Sequence, residues 1–430
     1  MEKLYHRLFY LIGLFCTANA FAIGIGNSSM SVYNYLIIIL LLIKSIQILL
    51  SRNSIIYISS NNIIWYLYFF VMFLSVIISA FTMPENWFKE SINLTLKFSI
   101  YFLGLLVLFG DKDLSIYKPS FMRGLYISTI LQLFWAGLQA LCWYGLGFNL
   151  NELIFGSLLH IGGGTINWDG AVLGPVLRLT GFSWEPANFA LVMLVGWSLS
   201  KKIWLKGFFI LALIFSYSKT GFLCMLVLGT VKYLVCLKNF TIRSIFSINY
   251  IKRFLFFVFI VIIFILIFTD FFYNLVDVIV SSYNTLTLAI TTEENASANI
   301  HKLYYLALGD ILNNMSLWQL LFGYGSFSAG YPYAFYNIVP YGLDGAWNPE
   351  SDFITIIVGN GFIGILLYYL IVIKAFYNAS NWMERDIIIA IFVCGITYLF
   401  IRGTWSFLIL LFISINYTRR LKNEKNDVSI

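Results

Sequence analysis

The sequence is poor in charge. Asp, Glu, Lys and Arg make up 11% of its 430 residues, while hydrophobic residues make up 60%. A soluble domain carries about 25% charged residues, so this chain has too few to cover a surface that faces water. The composition therefore excludes a soluble enzyme, a nucleic-acid-binding domain and a disordered protein. It indicates a protein that crosses a membrane several times.

Proline, histidine and paired cysteines are scarce as well. Only seven prolines occur, and long apolar runs are frequent, which favours helices over the alternating strands of an outer-membrane barrel. The three histidines lie far apart and the five cysteines form no CxxC pair. The spacing thus predicts neither a metal cluster nor a disulfide framework. No phosphate-cradling GxxxxGKS or GxxxxGKT motif is present either, so we expect no metal or nucleotide cofactor.

Apolar runs with charged flanks predict an all-α polytopic membrane protein of about twelve spans, since a span needs about 20 apolar residues. The runs cover residues 8–26, 33–50, 63–83, 92–109, 122–147, 187–200, 204–218, 220–237, 254–271, 352–373, 387–401 and 404–418. Two long segments between them are predicted to be loops on the outer face.

Basic residues give the chain an orientation. With the N-terminus in the cytoplasm, alternation of the spans puts most of the 27 Lys and Arg residues in cytoplasmic loops, as the positive-inside rule requires. Both termini are then cytoplasmic. The chain divides into residues 1–147 with spans 1–5, 148–186 as the first outer loop, 187–271 with spans 6–9, 272–351 as the large outer loop, and 352–430 with the last three spans and a tail.

Several cations fall outside that rule, at or near the outer face. Arg178 lies in RLTGFSWEP, Lys219 lies in SYSKTG between two apolar runs, and Arg402 stands in a similar turn. Charges at membrane depth are costly and usually line a polar cavity, and fixed cations beside hydroxyls suit a phosphate. Each residue also has an ordinary explanation, as a surface Arg or as a Lys that extends along the lipid interface to water.

Two acids stand at predicted helix starts on the same face. Glu185 precedes Pro186, and Glu350 precedes Ser351 and Asp352. Capping and the helix dipole alone favour an acid at such a place. In the functional interpretation, Glu350 or else Glu185 is a general base held at the membrane boundary.

The large outer loop contains a predicted amphipathic helix over 297–322 and an aromatic-rich stretch. Tyr324, Tyr336 and Trp347 are expected to offer flat faces to sugar rings, although an aromatic belt at the lipid headgroups would give the same pattern. His301 and Lys302 open the predicted helix, either as a solvated face or as ligands of a phosphate. Cations, acids and aromatics together suit a reaction on a sugar linked to a lipid diphosphate.

Four short motifs resemble those of the O-antigen polymerase (Wzy-type) family, within the O-antigen ligase/polymerase superfamily. They are Arg178-x-x-Gly181 with Glu185-Pro186, Ser216-x-Ser218-Lys219-Thr-Gly221, Leu321-Phe-Gly323-Tyr-Gly325, and Glu350-Ser-Asp-Phe-Ile with Gly361-Phe-Ile-Gly364. The resemblance implies a GT-C-like fold in a bacterial inner membrane, with the site facing the periplasm. It also implies transfer of a growing glycan from undecaprenyl diphosphate to the non-reducing end of a lipid-linked repeat unit. The implied partners are the undecaprenyl-diphosphate-linked oligosaccharide, a Wzz-type chain-length regulator and the lipid bilayer.

The chain departs from the superfamily in three places. Ligases have His-Asn where this chain has Glu350-Ser351, which favours a polymerase and makes Glu350 the expected base. The loop helix often begins with Arg, where His301-Lys302 stands here. The Arg-x10-Gly pattern of some polymerases is absent, because Phe189 occupies the place of its glycine. The alternatives are a ligase that acts on lipid A-core and a transporter of lipid-linked oligosaccharides.

Overall fold

The computed structural model is predominantly helical. It describes residues 1–18, 21–25, 28–51, 59–158, 172–173, 176–183, 185–238, 303–339, 343, 347–399 and 404–415. Within these ranges four helices are long and apolar enough to cross a membrane, namely Val32–Leu50, Ser60–Thr82, Glu85–Leu146 and Asp352–Asn378. The apolar helices Pro186–Leu199, Ile203–Phe215 and Trp405–Ser414 are shorter. The predicted span 254–271 lies outside the described residues.

The described residues include thirteen α-helices and two short antiparallel hairpins. The helices are α1 (Glu2–Phe15), α2 (Val32–Leu50), α3 (Ile63–Thr82), α4 (Glu85–Leu146), α5 (Pro186–Leu199), α6 (Ile203–Phe215), α7 (Lys219–Lys238), α8 (Leu308–Asn314), α9 (Leu317–Phe322), α10 (Gly330–Phe335), α11 (Asp352–Asn378), α12 (Trp382–Thr397) and α13 (Trp405–Ser414). The hairpins pair β1 (Ala22–Ile25) with β2 (Ser28–Ser31), and β3 (Val172–Leu173) with β4 (Val176–Leu177).

The first helix is shorter than the predicted span 8–26. It ends at Phe15, and the chain then forms the β1–β2 hairpin. Residue Thr17 is held by α4, since its Oγ1 lies 2.7 Å from Ser128 Oγ and its carbonyl accepts a 2.8 Å hydrogen bond from Gln132 Nε2. Hydropathy does not register a polar anchor of this kind, so the predicted helix was too long.

Two glycines allow α1 to pack closely on the second half of α4. A Cβ on Gly13 would overlap the backbone of Phe121, and a Cβ on Gly124 would overlap the backbone of Tyr10. Small residues let helix backbones approach within a membrane, where van der Waals packing drives association. The contact fixes the part of α4 that carries the polar residues of the candidate site.

The predicted spans 92–109 and 122–147 fall on two helices that meet at a kink at Gly110, and the residues between the kink and residue 122 are helical where a loop was predicted. Helix α4 departs from helical geometry only at Gly110, where φ is +63°. Beyond this point Leu114 and Tyr117 are buried at helical spacing. Their burial shows that the charged stretch begins the second of these helices, and the kink at Gly110 replaces the predicted loop.

Ion pairs around the charged stretch of α4 and the start of α12 compensate the charges of these helices. They are Lys44–Asp113 at 2.9 Å, Lys118–Glu384 at 3.0 Å and Lys232–Asp386 at 2.7 Å. Lys232, which the sequence places within a helix, is thus compensated by an acid of α12. Two of these cations, Lys44 and Lys118, are among the residues that the positive-inside rule assigns to the predicted cytoplasmic face of the membrane.

Helix α11 is interrupted at Gly361, and a separate segment of chain pairs with it there. Gly361 has φ of +71°, a conformation that favours glycine. Just before it, the carbonyl of Val358 accepts from the Tyr324 amide at 2.9 Å, and that of Gly359 accepts from the Gly325 amide at 3.1 Å. Two glycine motifs far apart in sequence therefore meet in the fold.

Hydroxyl and amide side chains hold this inserted segment between α3, α4 and α11. Ser91 Oγ donates to the Ser326 carbonyl at 2.7 Å, and Ser326 Oγ donates to the Met72 carbonyl at 3.2 Å. Asn360 Nδ2 donates to Ser326 Oγ at 2.6 Å. Residues 323–334 are all buried. This part of the predicted outer loop is therefore packed inside the bundle.

Candidate functional site

Two glutamines of α4 hold the turn that follows Arg178. Gln139 Oε1 accepts from the Gly181 amide at 2.8 Å, and Gln132 Oε1 accepts from the Phe182 amide at 3.1 Å. Gln139 Nε2 also donates to Thr180 Oγ1 at 3.2 Å. Buried backbone groups need such partners, and here they come from a membrane-spanning helix. The glutamines thus fix the loop to the bundle.

The glycine of the first motif is required at this turn. Gly181 has φ of +57°, and an added Cβ would lie 2.5 Å from Gln132 Oε1 and 2.7 Å from Phe189. Asn151 completes the arrangement by donating to the Gly181 carbonyl at 3.0 Å. Any side chain at this position would force the loop away from both glutamines. Spacing in the sequence singled out the glycine, and the contact supplies its physical reason.

One backbone hydrogen bond brings the two cationic segments together. The Leu179 amide donates to the Phe215 carbonyl at 3.1 Å. Phe215 ends α6 directly before the turn 216–218, which leads into Lys219. Arg178 and Lys219 therefore lie on neighbouring segments of the chain at one end of the bundle.

Arg178 is half-buried with unused hydrogen-bonding capacity. Its Nε atom is buried and has no hydrogen-bond partner among the residues that the structure describes. Burial lowers the pKa of the guanidinium, and the nearby Glu185 carboxylate partly offsets that effect. A buried guanidinium N–H is costly unless it is bonded. The site therefore favours an anion at this position.

The turn before α7 presents Lys219 from a rigid support. Ser216 Oγ accepts from the Ser218 amide at 3.3 Å, and Ser218 Oγ accepts from the Gly221 amide at 3.2 Å. Tyr217 adopts φ of +49° between them. Lys219 is exposed at the start of a helix, where the dipole disfavours a cation and favours an anion. A bound anion would relieve that conflict.

A chain of hydrogen bonds connects α7 to the start of α11. Thr397 Oγ1 lies 3.1 Å from Thr220 Oγ1, which joins the end of α12 to the start of α7. One residue earlier, the Ile396 carbonyl accepts from Ser351 Oγ at 2.6 Å and also from the hydroxyl of Tyr305. The Glu350–Ser351 pair thus stands at the same end of the bundle as Lys219.

The acids at this end differ in exposure. Glu350 and Glu185 are exposed, and Glu185 is the N-cap residue of α5, before Pro186 at the first helical position. Asp352 is 2% exposed, and its backbone amide donates to the Tyr398 carbonyl at 3.3 Å. An exposed carboxylate can reach a substrate without rearrangement. A buried one is better suited to support the fold.

The predicted aromatic residues occupy three different environments. Tyr324 is buried within the inserted segment, Trp347 is half-buried with its ring 6.0 Å from that of Trp87, and Tyr336 is 41% exposed. A sugar ring needs an open face on which to lie. Of the three, Tyr336 presents the largest exposed fraction.

Three predicted phosphate ligands, Arg402, His301 and Lys302, lie outside the described residues. Within the described ranges, no group of three or more His, Cys, Asp or Glu side chains could hold a metal ion.

Sequence reasoning missed the residues that support the site. Gln132 and Gln139 are buried polar residues seven positions apart on one face of an apolar helix, a pattern that hydropathy counts pass over. Polar side chains within membrane spans usually face a bundle interior, and that expectation could have identified them. Tyr305 gave no local signal. Burial raises the pKa of its phenol, and the hydrogen bond between Tyr305 and Ser351 opposes that rise while Asp352 adds to it.

No protein family matches this sequence, and no curated protein matches it.

Proposed function

We propose that this protein is a membrane glycosyltransferase of the O-antigen polymerase type, which uses a glycan on undecaprenyl diphosphate as its donor. The observation that carries the proposal is the Leu179–Phe215 hydrogen bond, which joins the Arg178 segment to the turn that ends in Lys219. Two cations at one end of an apolar bundle suit a diphosphate that arrives on a lipid.

The diphosphate is the part of the donor that these cations would bind. Arg178 offers a planar set of N–H donors with a free buried Nε, and Lys219 offers a point charge beside the amides of a helix start. In the reaction, negative charge grows on the departing diphosphate. Donors already in place stabilise that charge without further reorganisation. Arg402, His301 and Lys302 are proposed as additional ligands on the grounds of sequence alone.

A carboxylate at the same end would activate the acceptor. Glu350 takes the proton of the acceptor sugar hydroxyl, and the oxygen then attacks the anomeric carbon of the donor glycan. The bond from that carbon to the diphosphate breaks, and the diphosphate leaves with the electron pair. Direct displacement inverts the configuration at the anomeric carbon. Glu185 is the second candidate base, since it is exposed beside Arg178.

The proposal includes the setting of the reaction. The glycan is added to the non-reducing end of a lipid-linked repeat unit, on the periplasmic side of a bacterial inner membrane. Tyr336, with the buried Tyr324 beside it, would contact the glycan, and Trp347 is proposed as a further contact. A Wzz-type regulator would set its length. We propose about twelve spans with both termini in the cytoplasm, and no metal or nucleotide is required because the donor is already activated.

The test is the lipopolysaccharide ladder of cells that lack this gene. If the protein is a polymerase, the ladder is lost and core plus one repeat unit remains as a single band. If it is a ligase, every O-antigen band is lost and long lipid-linked polymer accumulates. A transporter of lipid-linked units predicts loss of all bands with single repeat units retained on the cytoplasmic side. An unchanged ladder contradicts the proposal.

A further inference from the structure

Helix α9 exposes large apolar side chains although it lies outside every predicted span. Leu317 is 68% exposed and Trp318 is 64% exposed. The Trp318 ring stacks on that of Phe322, with centroids 6.2 Å apart. Apolar side chains of this size on a short loop helix are unfavourable in water. Their surroundings depend on the depth at which α9 lies.

Helix α11 gives a first measure of that depth. The backbone of α9 at Leu321 lies directly against Gly361, since a Cβ on that glycine would overlap it. Gly361 is nine residues after Asp352, which corresponds to about 13 Å along a helix. The helix continues for 17 residues beyond the kink at Gly361, so the contact lies inside the apolar stretch Asp352–Asn378 and not at either of its ends. The contact therefore falls within the hydrocarbon layer.

Helices α3 and α4 give the same depth independently. The hydroxyl of Ser75 donates to the Gly359 carbonyl, and Ser75 is seven residues before α3 ends at Thr82, or about 10 Å. Ser91, which bonds Ser326, is six residues after the start of α4, or about 9 Å. Three helices thus place the chain that follows α9 at about 9–13 Å below their outer ends.

The helices against which α9 packs also expose large apolar side chains. Helix α9 packs against α3 and α11. Phe70 on α3 is 58% exposed, and Phe362 on α11, next to Gly361, is 46% exposed. Such residues on membrane-spanning helices face lipid. Helix α9 is therefore held by helices that face lipid themselves.

Side chains and neighbouring backbone supply hydrogen-bond partners at both ends of α9. Polar backbone groups must be satisfied internally in lipid. Ser316 Oγ accepts from the Gln319 amide at 3.3 Å, and Gln319 Oε1 accepts from the Ser316 amide at 2.9 Å, which forms a capping box. At the other end, the Gly323 amide donates to the Gln319 carbonyl at 2.6 Å, and the amides of Tyr324 and Gly325 donate to carbonyls of α11.

We propose that α9 and the segment Gly323–Ser328 form a re-entrant element of the membrane domain, and that Leu317 and Trp318 contact the acyl chains of the outer leaflet. This assigns a bilayer-binding surface within a stretch that the sequence places in an outer loop. It does not depend on glycosyl transfer. The bilayer hydrocarbon is the partner, and the element closes the bundle between α3 and α11.

Photocrosslinking in a bilayer tests this assignment. The full-length protein carries p-benzoylphenylalanine in place of Trp318, and in a second variant in place of Leu317. Each variant is placed in nanodiscs of phosphatidylcholine and irradiated. We expect the intact mass of both variants to shift by one phospholipid. Two positions calibrate the result, namely Phe70 on the lipid face of α3 and Asn313, which is exposed on α8.

The result at Asn313 defines a water-facing position, and that at Phe70 defines a lipid-facing one. Lipid adducts at residues 317 and 318 comparable to those at Phe70 support the proposal. Adduct levels as low as those at Asn313, in a preparation where Phe70 reacts, overturn it. Because no substrate is present, this outcome is separate from the fate of the proposed glycosyltransferase activity.

Discussion

The main-chain amide of Tyr324 donates a 2.9 Å hydrogen bond to the carbonyl oxygen of Val358. Val358 lies inside a membrane-spanning helix, where carbonyls normally accept from the amide four residues later. The positive φ at Gly361 interrupts that pattern and allows an outside donor. Non-helical backbone at membrane depth is tolerated only where protein surrounds it or a polar cavity adjoins it. In this fold, buried protein surrounds it.

Replacing Gly361 with Ala should destabilise the protein. The residue has φ of +71°, and its new Cβ would overlap the backbone of Leu321. Strain of this kind costs about 1–3 kcal/mol before the steric overlap is added. The thermal midpoint of the detergent-solubilised protein should fall clearly below that of the wild type.

Gly207→Ala is the matched control for that measurement. Gly207 lies within α6 and its Cβ would meet nothing within 4 Å. Its thermal midpoint should stay level or rise slightly, since alanine favours helix. Equal midpoints for the two variants would contradict the close approach of α9 to α11.

Arg178→Ala should slow polymer formation without unfolding the protein. Loss of one charge-stabilising donor at a reacting centre typically costs about 100-fold in rate. Arg178→Lys should recover only part of the rate, because a point charge replaces a planar set of donors. The measurement is the initial rate of chain extension from lipid-linked repeat units in vesicles.

Lys89→Ala serves as the control cation for this series. Lys89 also lies near the predicted outer face, in an exposed pair with Glu85 at 2.5 Å. Its rate should match the wild type. A comparable loss for Lys89 and Arg178 would indicate a general charge effect and not a diphosphate site.

Gln139→Leu should disturb the turn that follows Arg178, because it removes a side chain of α4 that holds this turn. The Gly181 amide would lose its partner while staying buried, which costs about 1–3 kcal/mol. Thr180 Oγ1 would keep only the hydrogen bond from Asn151 Nδ2. We expect a lower thermal midpoint together with slower chain extension. Leu141→Ala, on the exposed face of α4, should change neither quantity. An unchanged rate for Gln139→Leu would separate the turn from the reaction.

Glu350→Gln should abolish chain extension and leave the fold intact. A positioned general base contributes about 100- to 10,000-fold, and Glu350 is exposed. Asp352→Asn should lower the yield of folded protein instead, since that side chain is buried. If Glu350→Gln retains full activity, the base lies elsewhere. Glu185→Gln is then the next variant to assay by the same rate measurement.

Lys118→Met should strongly destabilise the end of the bundle where Lys118 pairs with Glu384. The Lys118 and Glu384 side chains are 12% and 8% exposed, so the variant leaves a buried carboxylate without its cation. The expected loss is about 3–5 kcal/mol, read as a fall in thermal midpoint. Adding Glu384→Gln should recover most of it, because both charges are then absent. A double variant as unstable as the single one would refute the pairing.

Much of the fold class followed from the sequence, but its details did not. Hydropathy indicated a helical membrane protein, and Pro186 and Asp352 marked helix starts that the structure places at the same residues. The predicted span 8–26 was too long, and a kink at Gly110 stands where a loop up to residue 122 was predicted. Thr17 is held by Gln132, and Leu114 continues a packed helix face. Such contacts have no signature in the local composition.

The sequence by itself determined the membrane character and the helix starts, because transfer free energy and N-terminal capping depend on residues near one another in the chain. It also identified Arg178, Gly181 and Lys219 as unusual. Tertiary structure alone decided that the loop of Arg178 meets the turn before Lys219, and that Tyr324 bonds Val358 inside the bundle. Backbone hydrogen bonds between distant segments carry no residue identity, so no pattern along the chain could have specified them.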